Sequence, residues 1–221
     1  MKTRFFLLCI VLLSFLTLNA FASVDVRSIF ITTNEGLANN SVRYLFQDSK
    51  GFVWMGTLDG LSRYDGHSFV TFRPGIGDEI SLADHHVKVI TEDRNGFLWI
   101  FTSPEIFSCY DLKRDCFVDY TGCGEYKQEY KRKLETSTGD IWLWHNEKNG
   151  CRKITYKDGH FSSVIFDRKN GKLFSDSVNY VHEDEQGSVW ICTQAGLVWV
   201  AGNQTQLFKK ELSFVAAVTY E

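Results

Sequence analysis

Four tryptophans, Trp54, Trp99, Trp142 and Trp190, divide this chain at intervals of 45, 43 and 48 residues. Each follows a glycine by three positions: Gly51, Gly96, Gly139 and Gly187. Three of those glycines follow an aspartate by three more, Asp48, Asp93 and Asp184, whereas the third unit has Thr136. Self-similarity at a period of about 40–50 residues marks a repeat architecture, in which one supersecondary unit buries its face against copies of itself.

The unit is built of strands. Val42, Val87 and Val178 open the β-patterned runs "VRYLFQD", "VKVITED" and "VNYVHED"; the third unit offers only "YKRKLET", with Lys131, Arg132 and Lys133. The tryptophan strands "FVWM", "FLWIF", "IWLW" and "VWIC" are apolar on both faces, as strands covered above and below must be. Asp59-Gly60, Asp65-Gly66, Asn149-Gly150 and Asp158-Gly159 supply the positive φ angles of tight hairpins. In the first unit the strands are expected over 42–48, 52–57, 61–64 and 68–72. No 3.6-residue apolar period is present, which excludes helical repeats. The fold class is all-β, four four-stranded antiparallel blades of a β-propeller. An aromatic content of 15% and 17 glycines agree, because rings pack well on pleated surfaces.

In such a blade the repeated residues have structural work. The glycine permits the turn into the tryptophan strand. The aspartate bonds the turn backbone two residues on, and the tryptophan fills the gap between blades.

The N-terminus reads as an export signal. Lys2 and Arg4 precede an apolar run, Phe5–Leu18, and Ala20-Phe21-Ala22 fits the small-x-small cleavage pattern, so the mature chain is expected to begin at Ser23. The run is too short for a comfortable span. Removing Lys2 and Arg4 leaves 22 basic against 27 acidic residues, near −5, which argues against nucleic-acid or anionic-membrane binding. The expected divisions are signal 1–22, outer strand and lead-in 23–38, blades 39–80, 81–125, 126–173 (degenerate) and 174–210, and a tail 211–221.

Few side chains suggest chemistry. Cys109 and Cys116 flank the turn "YDLKRD", which leaves two readings: a cross-strand disulfide, or small buried hydrophobes. Their even spacing with Cys123 lacks the C-x-x-C pair of a zinc site, so no metal and no cofactor is expected. The histidines His67, His85, His86, His145, His160 and His182 are expected on surfaces and turns, and Lys131–Lys133 as a solvated irregular strand. Glu183, Asp184 and Glu185 resemble a glycosidase pair only superficially, since Asp184 belongs to the repeated turn. No catalytic residue is assigned and ligand-contacting residues are unknown.

The box is one residue longer between Asp and Gly than the sialidase type and one shorter than the quinoprotein type. Gly36-Leu37, Asn40-x-Val42, Asp48/Gly51/Trp54, Gly56-Thr57, Gly60-Leu61 and Tyr64-Asp65-Gly66 together resemble the two-component-regulator propeller repeats of the hybrid two-component sensors of gut Bacteroidetes. The resemblance spans about residues 28–208. It implies a non-enzymatic periplasmic input module that senses oligosaccharides and, through a kinase phosphorelay, regulates transcription of polysaccharide-utilisation genes. It also implies an oligosaccharide ligand, further blades and a kinase portion as partners, and a homodimer. The alternative is a secreted propeller glycosidase or lyase. "SIFITT", 28–33, resembles an outermost strand and "TQLFKK", 205–210, already supplies one to blade four, so an open four-blade arc of a truncated or split product is expected.

Overall fold

A computed structural model describes residues 28–75, 80–103, 105–122 and 129–209. The expected signal segment 1–22, Cys123 and the tail 211–221 lie outside the described residues. Two units are distinguished, 1–30 and 31–221. In the first, residues 28–30 have no regular structure, with Ile29 and Phe30 exposed.

The second unit carries sixteen strands in four sheets. Blade one is β1 (Val42–Gln47), β2 (Val53–Thr57), β3 (Gly60–Tyr64) and β4 (Phe69–Phe72). Blade two is β5 (His86–Glu92), β6 (Phe97–Ser103), β7 (Phe107–Asp111) and β8 (Cys116–Val118). Blade three is β9 (Arg132–Glu135), β10 (Ile141–Trp144), β11 (Cys151–Lys157) and β12 (His160–Phe166). Blade four is β13 (Val178–Glu183), β14 (Val189–Thr193), β15 (Gly196–Ala201) and β16 (Gln204–Lys209). Each sheet is a simple antiparallel meander in chain order. The first strands of blades one, two and four share one irregularity, a register shift directly after the repeated valine, at Val42/Tyr44, Val87/Val89 and Val178/Tyr180.

The strand expected over 28–33 does not form. Thr32 instead caps a 3-10 turn, Thr33–Glu35, accepting from the Asn34 amide while the Glu35 carboxylate accepts from the Thr32 amide and hydroxyl at 2.7 Å. This capping box consumes polar groups that a strand would have left for a neighbour.

Three apolar cores join the blades. Trp54 and Leu61 of blade one meet Leu82, Val87, Ile90, Leu98 and Ile100 of blade two. Trp99, Phe107 and Cys109 of blade two meet Ile141, Leu143 and Ile154 of blade three. Trp142, Trp144 and Phe166 of blade three meet Val178, Val181, Val189 and Ile191 of blade four. Among the described residues no core joins blade four to blade one, so the ring is open. Each box tryptophan also contacts an outer-strand or following ring: Trp54–Phe72 at 5.7 Å, Trp99–Tyr120 at 5.1 Å, Trp142–Phe166 at 5.1 Å and Trp190–Phe208 at 6.0 Å.

The aspartate does more than tie the turn. Asp48 Oδ1 accepts from the Lys50 and Phe52 amides, and Oδ2 accepts from Trp54 Nε1 at 2.7 Å. Asp93 repeats this with Asn95, Phe97 and Trp99, and Asp184 with Gln186, Ser188 and Trp190. In blade three the Thr136 hydroxyl accepts from the Asp140 amide at 3.0 Å but does not reach the indole, and buried Trp142 Nε1 has no partner. Gly51, Gly96, Gly139 and Gly187 have φ of 90°, 84°, 85° and 78°. An added Cβ at Gly51 or Gly96 would meet nothing within 4 Å, so backbone conformation rather than space requires glycine.

Asp93→Ala removes the acceptor for one buried indole and two amides, an expected loss of about 3 kcal/mol read as a fall in thermal midpoint. Thr136→Ala, in the blade whose indole already lacks an acceptor, should cost about 1 kcal/mol or less. Equal losses would contradict the assignment.

Candidate functional site

Antiparallel meanders sort their connections to two ends. The β1–β2 turns, with the Asp-Gly boxes, lie at one end; the β2–β3 turns and the links between blades lie at the other. The box end is occupied by scaffold. The residue after each box Asp or Thr136 donates to a glutamate of the next blade, one position before that blade's own box residue. Ser49 N and Oγ donate to Glu92 at 2.7 and 2.5 Å, Arg94 N and Nε to Glu135 at 3.1 and 2.9 Å, and Ser137 N and Oγ to Glu183 at 2.7 and 2.5 Å. Glu183 is thus a joint between blades three and four, and Asp184 belongs to its own turn and indole. Glu185 is exposed. The three do not form a catalytic pair.

The opposite end carries the longer links, where binding residues concentrate in repeat folds. Here His85 Nδ1 lies 2.8 Å from Asp59, which also faces Arg73 at 3.5 Å. In blade two the β6–β7 turn is longer: the register sets Ile106 where blades one, three and four have Gly60, Gly150 and Gly196, and Glu105 stands just before it. Glu105 takes the left-handed backbone, with φ of 69°, although a side chain is disfavoured there. Its carboxylate reaches His145 Nε2 at 3.2 Å and Lys131 Nζ at 3.5 Å. His145 Nδ1 accepts from the Glu147 amide at 3.0 Å. Contrary to the surface expectation, His145 is buried, 1% exposed, because it packs beneath the link into blade four, where Val178 N bonds its carbonyl. The expected solvated strand over Lys131–Lys133 is likewise half wrong. Lys133 is half-buried over the Trp99 ring at 5.8 Å, and burial lowers its pKa, whereas Arg132 is exposed.

The first strands are sheet edges, and β5 lies against both β1 and β2, which sets them toward the centre of the arc. They present an exposed row: Arg43, Lys88, Arg132, Asn179 and Tyr180. The Tyr180 ring is 52% exposed, with Trp144 and His182 each 6.4 Å away. Sequence reasoning missed this row. The signal available was the residue after Val42, Val87 and Val178, which is polar in each case.

Cys109 and Cys116 are free, with Cys151 and Cys192. The hairpin register sets Cys109 opposite Val118 and Cys116 opposite Asp111, two positions apart, so the proposed bridge would be diagonal rather than cross-strand. Burial pushes the Cys109, Cys151 and Cys192 thiols up, away from reactive thiolate character. Among the described residues no group of three His, Cys, Asp or Glu is placed to hold a metal ion, and no helix is long and apolar enough to cross a membrane.

Two corner carboxylates give a pH signature. The Ser68 and His67 amides hold Asp65 at about 2, and the Trp190 indole and turn amides hold Asp184 below the ordinary carboxylate range. Both pKa values are depressed, so the stabilisation is present above about pH 4 and lost as pH falls toward 2. Carboxyl-carbon NMR should show Asp65 titrating near 2, with the thermal midpoint falling over the same window. Titration of Asp65 near 4 would contradict the geometry.

Fold and site together define a β-propeller whose repeated acidic boxes are scaffold. Residues 36–59 match the family model described as two component regulator propeller. Over 52 residues the chain is 40% identical to a histidine kinase of Formosa agariphila, covering 24% of this chain and 4% of that protein. The extracellular domain of a hybrid two-component system from B. thetaiotaomicron superposes with a TM-score of 0.53 at 20% identity, over 81% of this chain and 26% of that one. The chain therefore spans about a quarter of that solved structure and a small part of the curated relative. Residues 36–59 thus resemble a two-component-regulator propeller repeat, on a fold shared with that extracellular domain.

Proposed function

We propose that this chain is a non-enzymatic sensor segment of a hybrid two-component system, exported to the periplasm, whose blades bind an oligosaccharide. Binding is relayed through a kinase phosphorelay to transcription of genes for polysaccharide use, with further blades and a kinase portion as its partners. The observation that carries this reading is the match of residues 36–59 to the two-component regulator propeller, in a chain whose repeated carboxylates are spent on joints. A glycosidase needs two carboxyl groups about 5–10 Å apart and free to act. Glu183 is engaged by Ser137 and Asp184 by Trp190, which supports binding over hydrolysis.

The exposed first-strand row offers what a sugar requires: Tyr180 for stacking on a pyranose face, and Arg43, Lys88, Arg132 and Asn179 as hydroxyl partners. Few polar groups around an apolar ring are the usual composition of a small-ligand site. The test incubates the chain with a panel of oligosaccharides, following thermal shift and product formation together. A rise in midpoint of a few degrees with one glycan class, reduced by Tyr180→Ala and without product, is expected. Product release would overturn the sensor reading in favour of an enzyme.

A further inference from the structure

The first strands carry a charge balance opposite to that of the chain. Over the whole sequence acidic residues outnumber basic ones, 27 to 24. On β1, β5, β9 and β13 the carboxylates are Glu92, Glu135 and Glu183, and each is taken up at a joint by Ser49, Arg94 or Ser137. Arg43, Lys88 and Arg132 are exposed on the same strands. Among the described residues none of the three forms an ion pair, whereas Arg63 pairs with Asp115, Arg94 with Glu135, Lys131 with Glu105 and Lys153 with Asp140. The row is cationic in an acidic chain.

Backbone register places these cations. Arg43 and Lys88 are the residues skipped at the shifts Val42/Tyr44 and Val87/Val89, and Asn179 is skipped in blade four. A bulge of this kind interrupts pairing locally and re-aims the side chain it carries. Because β5 lies against β1 and β2, the Arg43 and Lys88 bulges fall on neighbouring strands. Arg132 lies opposite Trp144 as Tyr180 lies opposite Cys192, so blade three has a guanidinium where blade four has its exposed ring. Lys88 Nζ sits 5.4 Å from the Phe101 ring centroid, a contact that holds the ammonium without neutralising it.

We infer that this row selects an acidic oligosaccharide, one bearing carboxylates or sulfate esters, over a neutral one. The inference rests on the glycan reading above and names the class of sugar. Neutral hydroxyls are served by uncharged amides and hydroxyls, which both donate and accept. Like charges on the first strands of three successive blades instead repel one another and gain from a shared anion. An arginine fork binds an oxyanion through two parallel N–H···O bonds, and lysine binds it as a point charge. Tyr180, next to Asn179, adds the sugar-face contact. Ring and charge together separate an acidic glycan from other polyanions.

Calorimetric titration of the full chain tests it with tetrasaccharides of galactan, galacturonate and sulfated galactan, and with polyglutamate of matched charge. An acidic sugar should bind about tenfold more tightly than neutral galactan, and should lose affinity between about 50 and 300 mM salt as exposed charges are screened. The galacturonate and sulfate arms distinguish the two anions. Arg43→Gln with Lys88→Gln should weaken the acidic sugar about fivefold or more. Lys157→Gln with Lys169→Gln, which removes the same charge from exposed positions elsewhere, should not. Thermal melting of both variants confirms folding. Galactan bound as tightly as the acidic sugars, or a row variant no weaker than its control, would overturn this inference and leave the glycan reading standing. No oligosaccharide bound at all, or polyglutamate bound as tightly as the acidic sugar, would overturn both.

Discussion

One carboxylate in each of three blades fixes the geometry on which the rest depends. By accepting two turn amides and an indole N–H, Asp48 makes the tight turn and the tryptophan orientation a single decision. The indole is then aimed across the sheet into the next blade, where it is fully buried. Charge-assisted bonds of this type are roughly twice as strong as neutral ones, and their donors would otherwise be buried unpaired. Blade three shows the device by its lack. With Thr136 in place of aspartate the turn survives, held by the Asp140 amide, but Trp142 Nε1 is orphaned. Packing against Phe166 and the valines of blade four keeps that tryptophan buried without its acceptor.

Because the boxes and the Ser/Arg–Glu joints occupy one end of the blades, the other end is free to vary. It does vary: blade two lengthens its β6–β7 turn, accepts a left-handed glutamate there at Glu105, and directs the carboxylate to His145 and Lys131 of the next blade. Repeat proteins commonly separate a constant side that sets stacking from a variable side that meets ligands. The exposed polar residues of the first strands belong to neither, since they point away from the sheets toward the middle of the arc.

The blades were legible because their period, turn glycines and two-sided apolar strands are local signals that all point the same way. The aspartate's turn bonds followed from spacing alone, whereas its indole bond depends on the rotamer that packing selects. The glutamates before each box were visible as "TED", "LET" and "HED", yet their role lies in the neighbouring blade and only the stacked structure shows it. His145 was read as a surface residue because burial of a turn depends on the link that crosses it. The strand expected at 28–33 failed for a similar reason, since a strand without a neighbour yields to the local capping of Thr32 and Glu35. Of the two readings left open for Cys109 and Cys116, the register favours small packed thiols over a bridge, and a hairpin's length alone does not fix register.

The central claim is that the Asp-x-x-Gly-x-x-Trp box is a joint and takes no part in recognition. An assigned indole proton–nitrogen correlation spectrum, recorded during titration with a bound glycan, tests it most directly. Trp54, Trp99 and Trp190 Nε1–H resonances should lie downfield of Trp142, as carboxylate-bonded donors, and should stay in place while Tyr180 responds. Box indoles that move with ligand, or a Trp142 resonance grouped with the other three, would contradict it.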